Sequence, residues 1–335
     1  MVAGSACVLG IVLAALFFSM TQAPAGMPEA GKLFTVQAGQ GASALGAKLE
    51  AEGLVRSGQA FRFLAQLRGL SGNIKSGTYR IKAGMSTGEI LDLLVSGKQA
   101  LVRLTVPEGY TLGQVAELFG RGGIMSPEDF LAAAKDPALL SELGIPSPSV
   151  EGYLFPDTYF FPKSYPAGDA IRTMVRNFRY HVEASFPEAS GLDARALHEK
   201  LILASIVERE YRLPEEAPLM ASVFYNRLRI GMALQSCATV VYVLTEREGK
   251  PHPDVIYDRD LEIKDPFNTY RQRGLPPGPI SSPGMTALSA AFRPAASDYL
   301  YFRLVDAEAG RHHFSKTLEQ HREAAALIVK RTGGK

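Results

Sequence analysis

Residues 1–20 form an unbroken apolar run with no charged side chain, and the first Lys or Arg of the chain is Lys32. A helix of that length, rising ~1.5 Å per residue, reaches roughly the ~30 Å hydrocarbon thickness of a bilayer. The pattern predicts an uncleaved transmembrane anchor over residues 1–22, with the remainder exported. The rival reading is a cleaved signal peptide, since Ala23-Pro24-Ala25 loosely matches a small-residue cleavage site. No basic residue precedes the run, so the positive-inside rule is silent.

Residues 23–32, rich in Ala, Pro and Gly, read as a linker. Beyond them a local pattern recurs: a short alternating strand, a Gly turn, then a helix start. It appears at Phe34-Thr-Val-Gln-Ala-Gly39, Tyr79-Arg-Ile-Lys-Ala-Gly84 and Leu104-Thr-Val-Pro-Glu-Gly109. The second and third copies run into Ser86…Glu89 and Thr111…Gln114, both capping boxes in which a hydroxyl and the residue three later satisfy free N–H groups. The spacing between copies is irregular, which excludes a solenoid. Residues 33–103 therefore read as a small α+β module with helices over 44–52, 58–67 and 87–95.

Residues 104–335 read as a larger α+β domain. Ser126-Pro-Glu-Asp129 opens a helix over 127–135, and further helices are expected over 168–183, 196–211 and 215–230. The aromatic-rich stretch 151–161 is interrupted by Pro156, so it is either an edge strand with a turn or a packed loop. Residues 265–284 are Pro/Gly-rich, and the interleaved Phe267, Tyr270, Leu275 and Ile280 predict an ordered loop. A hairpin over 299–305 and 312–315 and a helix over 317–331 close the chain.

Length adds that 335 residues suit about two domains. The formal net charge of +2 gives no nucleic-acid surface. Cys7 lies in the apolar leader, so a disulfide to Cys237 is not expected, and no zinc-ligand spacing exists. His312, His313 and His321 match no common metal set and read as hairpin and helix surface. There is no GxSxG elbow, SxxK signature or Gly-rich phosphate loop.

One stretch carries chemistry. Seven uncharged residues, Leu201 to Val207, run directly into Glu208. On a helix Leu197, Leu201, Ala204 and Glu208 share a stripe. Apolar surroundings raise a carboxyl pKa and hold it protonated, the state a general acid requires. Spacing alone favours the plainer reading of Glu208 as a helix-end carboxylate paired with Arg209 or Arg212. Glu210 shares a stripe with Glu199, Leu203 and Ile206 and reads as solvated or salt-bridged.

Here the sequence resembles a known family. Leu203-Ala-Ser-Ile-Val-Glu-Arg-Glu210 and Ala221-Ser-Val-Phe-Tyr-Asn-Arg-Leu-Arg-Ile-Gly-Met-Ala-Leu-Gln235 are similar to the endolytic murein transglycosylases, the YceG-like proteins. So are Thr239-Val-Val-Tyr242, Phe267-Asn-Thr-Tyr270, Gly274-Leu-Pro-Pro-Gly278 and Glu151-Gly-Tyr-Leu-Phe-Pro-Asp157. The resemblance implies an α+β protein with an N-terminal transmembrane helix, a small LysM-like subdomain and a larger YceG-like catalytic domain. It implies a non-hydrolytic cut of the β-1,4 bond between N-acetylmuramic acid and N-acetylglucosamine, leaving 1,6-anhydro ends and terminating strand elongation. Glu208 falls on the family's catalytic acid. Because the attacking hydroxyl belongs to the substrate, no second carboxylate is needed, unlike ordinary glycosidases.

The family match also implies that Asn226, Gln235, Thr239, Tyr242, Asn268 and Tyr270 line the cleft. On the residues alone, Asn226 equally caps or bridges helices and Tyr242 equally fills core. The implied partners are peptidoglycan glycan strands, peptidoglycan synthases and, through the N-terminal helix, the cytoplasmic membrane, with the catalytic domain on its outer side. No nucleic acid, metal or cofactor is expected. One departure stands out: after Leu234-Gln-Ser236 the family has Asp-Pro, whereas this chain has Cys237-Ala238. That leaves two rivals, a non-catalytic peptidoglycan-binding scaffold and a hydrolase pairing Glu208 with Asp157 or Glu210.

Overall fold

The computed structural model describes residues 2–26 and 28–327. It divides into two compact units. One runs to Val102 and takes in Phe160–Tyr165; the other holds Arg103–Tyr159 and the chain from Pro166 onward.

The first unit begins with helix α1 (Val2–Thr21). Its part with described side chains starts at Gly10, so it measures roughly 18 Å at ~1.5 Å per residue. No helix among the described residues is long and apolar enough to cross a membrane. That part packs instead on the module: Phe17 meets Phe63 edge-to-face with ring centroids 5.3 Å apart, and Arg56 donates to the carbonyls of Ser19 and Ala23. The transmembrane reading of residues 1–22 thus has no support from the described helix.

The module proper is β1 (Lys32–Val36), α2 (Ala42–Ala51), α3 (Gly58–Leu67), β2 (Gly77–Ile81) and α4 (Thr87–Ser96). Strands β1 and β2 pair antiparallel, Phe34 opposite Tyr79. Alternation puts Phe34, Val36, Tyr79 and Ile81 into a core completed by Leu45, Leu49, Phe61, Ile90 and Leu94. The Ser86 capping box forms as its spacing requires.

The second unit starts within β3 (Leu101–Thr105), which pairs with β4 (Thr158–Pro162); the hydroxyls of Thr105 and Thr158 are 3.0 Å apart. Between these strands come α5 (Leu112–Arg121), opened by the Thr111 capping box, α6 (Pro127–Ala133) and α7 (Pro137–Glu142). The predicted helix over 127–135 therefore ends earlier and is followed by a second, started by Asp136 and Pro137. Stretch 151–161 resolves into a buried loop running into β4.

Helices α8 (Ala167–Ser185), α9 (Ala194–Glu210) and α10 (Ala217–Arg229) follow, then α11 (Cys237–Tyr242) and α12 (Asp258–Leu261). The Pro/Gly stretch is an ordered loop with Ile280, Ser281 and Ser282 buried. It leads into α13 (Met285–Phe292), which periodicity does not reveal because it is short and mostly small apolar residues. Helix α13 packs on both α9 and α10. The hairpin is β5 (Tyr301–Asp306) with β6 (Arg311–Ser315), followed by α14 (Leu318–Glu323) and a 3-10 turn at Ala324–Leu327. The end of the predicted helix over 317–331 lies outside the described residues.

Candidate active site

Helix α9 is started by Asp193, whose side chain accepts the Ala196 N–H at 2.8 Å. Its residues 201–207 are all buried, and Glu208 follows at the C-terminal turn, partly buried. One Glu208 oxygen accepts the Gly284 N–H at 2.9 Å, and the Tyr211 hydroxyl also bonds to it. Gly284 is the N-cap of α13, so the carboxyl sits where that helix exposes N–H groups. Burial pushes the Glu208 carboxyl up to about 7, and the charge of Glu108 adds to the rise. The Gly284 N–H, the Tyr211 hydroxyl and Arg209 act in the opposite direction.

Glu108 was not expected here. Gly284 has no side chain, and a Cβ built on it would lie 1.8 Å from a Glu108 oxygen. Both carboxyls therefore converge on one residue, with oxygens no more than roughly 7 Å apart once the N–Cα–Cβ span is added. The Gly109 N–H donates to the Ser282 carbonyl at 2.8 Å and the Ser282 N–H to the Tyr110 carbonyl at 2.7 Å. Arg209 donates to the Gly109 carbonyl at 3.0 Å. The loop is fixed to α9 as well: the Ile280 N–H donates to the Ser205 hydroxyl, and the Ser281 hydroxyl to the Ser205 carbonyl. Three segments distant in sequence thus hold one carboxyl in place. A sequence signal existed, because this third Gly turn carries Pro107-Glu108 where the other two carry Gln37-Ala38 and Lys82-Ala83.

Next to Glu208 along α9 opens a cleft of about 620 Å³, lined among others by Arg209, Glu210, Tyr211, Gln235, Cys237 and Tyr270. Gln235, held at φ 49°, and Tyr270 are thus the two family-matched residues that face this cleft. Cys237 is exposed on its wall, with its sulfur 3.1 Å from the Tyr270 hydroxyl.

The other matched residues do different work. Asn226 donates to the carbonyls of Ser297 and Tyr299, tying α10 to the segment before the hairpin. Asn268 is wholly buried and donates to the carbonyls of Leu261 and Ile263. Thr239, also wholly buried, donates to the Ser236 carbonyl and meets the Thr269 hydroxyl. Tyr242 reaches Glu151 at 3.4 Å and lines a separate cavity of about 340 Å³.

Two sequence readings need correction. Glu210 is neither freely solvated nor, among the described residues, salt-bridged: it is partly buried on the cleft wall, accepts hydrogen bonds from the Ser236 hydroxyl and the Ala238 N–H, and burial raises its pKa. Its stripe looked polar only because Glu199, at the far end, is exposed. His312 is not surface either; its ring is 2.7 Å from Glu216 and its side chain is 6% exposed. No group of three or more His, Cys, Asp or Glu able to hold a metal occurs among the described residues. Asp157 is exposed, bonded to the Thr158 N–H and to Asn177.

Residues 34–327 match the model of the YceG-like family. The chain belongs to that family. A Bacillus subtilis protein named endolytic murein transglycosylase is 32% identical over 310 residues, covering 88% of this chain and 84% of its own length. A Streptococcus pneumoniae protein of the same name is 31% identical over 315 residues; the match covers 84% of this chain but spans only 56% of that relative. The crystal structure of a yceG-like protein from Listeria monocytogenes superposes with a TM-score of 0.59 at 33% identity, covering 87% of this chain and 98% of that one. A YceG-like α+β fold thus presents Glu208 at the end of a buried helix.

Proposed function

We propose that this chain is a peptidoglycan lytic transglycosylase, a lyase, with Glu208 as its single acid and base. The observation that carries the reading is the half-buried Glu208 carboxyl, bonded by the hydroxyl of Tyr211, a residue of the cleft wall, and with its pKa raised to about 7, so that a proton is available near neutrality. Glu208 gives that proton to the glycosidic oxygen between N-acetylmuramic acid and N-acetylglucosamine as the bond from that oxygen to the anomeric carbon breaks. The resulting carboxylate takes the proton of the muramoyl 6-hydroxyl while that oxygen bonds to the anomeric carbon. The product is a 1,6-anhydro end, and no water is consumed. The Gly284 N–H stabilises the carboxylate once it has lost its proton.

Digestion of purified sacculi tests this directly. The wild type is expected to release products one water lighter than hydrolytic ones, and Glu208→Gln to lose ~10²-fold or more of the turnover. A Gln variant with a tenth of wild-type turnover would sink the assignment. One observation favours a second reading: Glu108 shares Gly284 with Glu208 and supplies the second carboxylate that a hydrolase uses. Products with reducing ends would establish that reading instead.

The same proposal extends to place and partners. The uncharged run over residues 1–20 supports a tether to the cytoplasmic membrane with the catalytic unit on its outer side. The strand–helix–helix–strand order of β1 to β2 supports a LysM-like glycan-binding role for the module. Termination of strand elongation beside peptidoglycan synthases rests on the family resemblance alone.

A further inference from the structure

The cleft beside Glu208 carries more positive charge than the chemistry of Glu208 uses. Its wall holds Arg209, Arg212, Arg227 and Arg303 against one carboxylate, Glu210. Glu210 is already engaged by the Ser236 hydroxyl and the Ala238 N–H. Among the described residues none of the four guanidiniums forms an ion pair. Among the described residues Arg209 and Arg227 donate only to main-chain carbonyls, and the buried Arg227 guanidinium also lies over the Tyr301 ring.

The same wall holds unmet donors. Among the described residues the Arg303 Nε and the His321 Nδ1 are buried without a partner, and Arg303 otherwise reaches only the His321 Nε2, at 3.5 Å. Guanidinium groups match carboxylates geometrically, through paired N–H donors. A cationic concavity with unsatisfied donors is therefore a site for an acidic ligand. Tyr270, Tyr301 and Phe302 add apolar surface, so the ligand also presents small apolar groups.

We propose that this arginine-lined cleft binds the carboxylates of the peptide stem that peptidoglycan carries on its muramoyl residue. The inference rests on the lyase reading above and deepens it. The stem hangs from the sugar whose anomeric bond is cut, and the cleft wall includes Arg209, the residue after Glu208, and Tyr211, whose hydroxyl bonds to Glu208. Stem carboxylates would satisfy the arginines, and the stem alanine methyls would meet the aromatic wall.

The test uses equilibrium titration of the full chain, which needs no turnover. The probes are a muramoyl disaccharide bearing its peptide, the same disaccharide without peptide, and inorganic phosphate. The peptide-bearing probe is expected to bind about tenfold more tightly, with the advantage shrinking as added salt screens the charges. Arg303→Gln and Arg212→Gln should each weaken the peptide-bearing probe several-fold more than the bare one. Arg212 is exposed, so its variant keeps the test valid should Arg303→Gln fail to fold. Equal binding of the two disaccharides, or arginine variants that bind like wild type, would overturn the subsite even where anhydro products form. Phosphate competing as well as the peptide-bearing probe would overturn the carboxylate assignment. A preserved peptide preference without any cleavage would overturn the lyase reading and leave the subsite standing.

Discussion

A carboxyl that keeps its proton near neutrality must find its charged form costly, and for Glu208 two causes are visible. Burial is the larger, and the neighbouring Glu108 charge is the second. Removing that charge should therefore make Glu208 ionise more readily. For Glu108→Gln we expect the alkaline limb of the kcat/KM profile to move to lower pH, because the free enzyme's acid sets that limb. A profile that falls in height without moving would assign Glu108 a different role. The same shift has a consequence for stability. A carboxyl whose folded pKa lies above its unfolded value contributes stability that is full below the ordinary carboxylate range and is lost as pH rises through about 7. The melting temperature of the wild type should thus fall between pH 5 and pH 8 by more than that of Glu208→Gln.

At the scale of elements, the capping boxes of α4 and α5 were legible in sequence, because their partners lie within one helical turn. Other helix ends depend on distant residues. The first N–H of α5, that of Leu112, is accepted by both oxygens of Glu151 at 3.0 Å, across 39 residues of chain. Glu151 is buried, and burial above all, with the nearby Glu246 charge adding, pushes its carboxyl up to about 8. Gly152 turns the chain beside it, where a Cβ would fall 2.4 Å from Pro279. Glu151→Ala leaves the Leu112 N–H without its acceptor and is expected to cost about 1–3 kcal/mol in denaturant unfolding. Glu151→Gln, which retains a carbonyl acceptor, should cost less; equal losses would mean that packing, not the cap, is the reason for Glu151.

At the scale of the molecule, the first unit has its own core, closed by Phe34, Leu45, Leu49, Phe61, Tyr79, Ile90 and Leu94. The Tyr79 hydroxyl reaches out of it to the Lys75 carbonyl at 2.7 Å, so burying that ring strands no hydroxyl. A fragment of residues 28–102 is expected to unfold cooperatively with dispersed amide resonances. A molten fragment would mean that one of the parts it omits is required, either α1, which packs on Phe63, or Phe160–Tyr165, which the unit draws from later in the chain. In the second unit α9 lies against α10, α11 and α13, which explains why seven consecutive uncharged residues precede Glu208: that length of helix meets protein on every side.

Sequence by itself determined what depends on near neighbours along the chain. The strand–turn–helix order of the module, the caps, the helix carrying Glu208 and that residue's apolar setting all follow from periodicities of two and of 3.6 and from side chains within one turn. The run of family motifs was equally readable, since it lies in the chain itself. Only the tertiary structure decided which distant groups meet. It brought Glu108 and Gly284 to Glu208, across 100 and 76 positions, and gathered arginines from α9, α10 and β5 around one cleft. It also turned Asn226, Thr239 and Asn268 toward main chain, and took Tyr242 to Glu151. The physical reason is that burial and charge act through space. A pattern of residue types records which side chains seek the interior, not which of them become neighbours there.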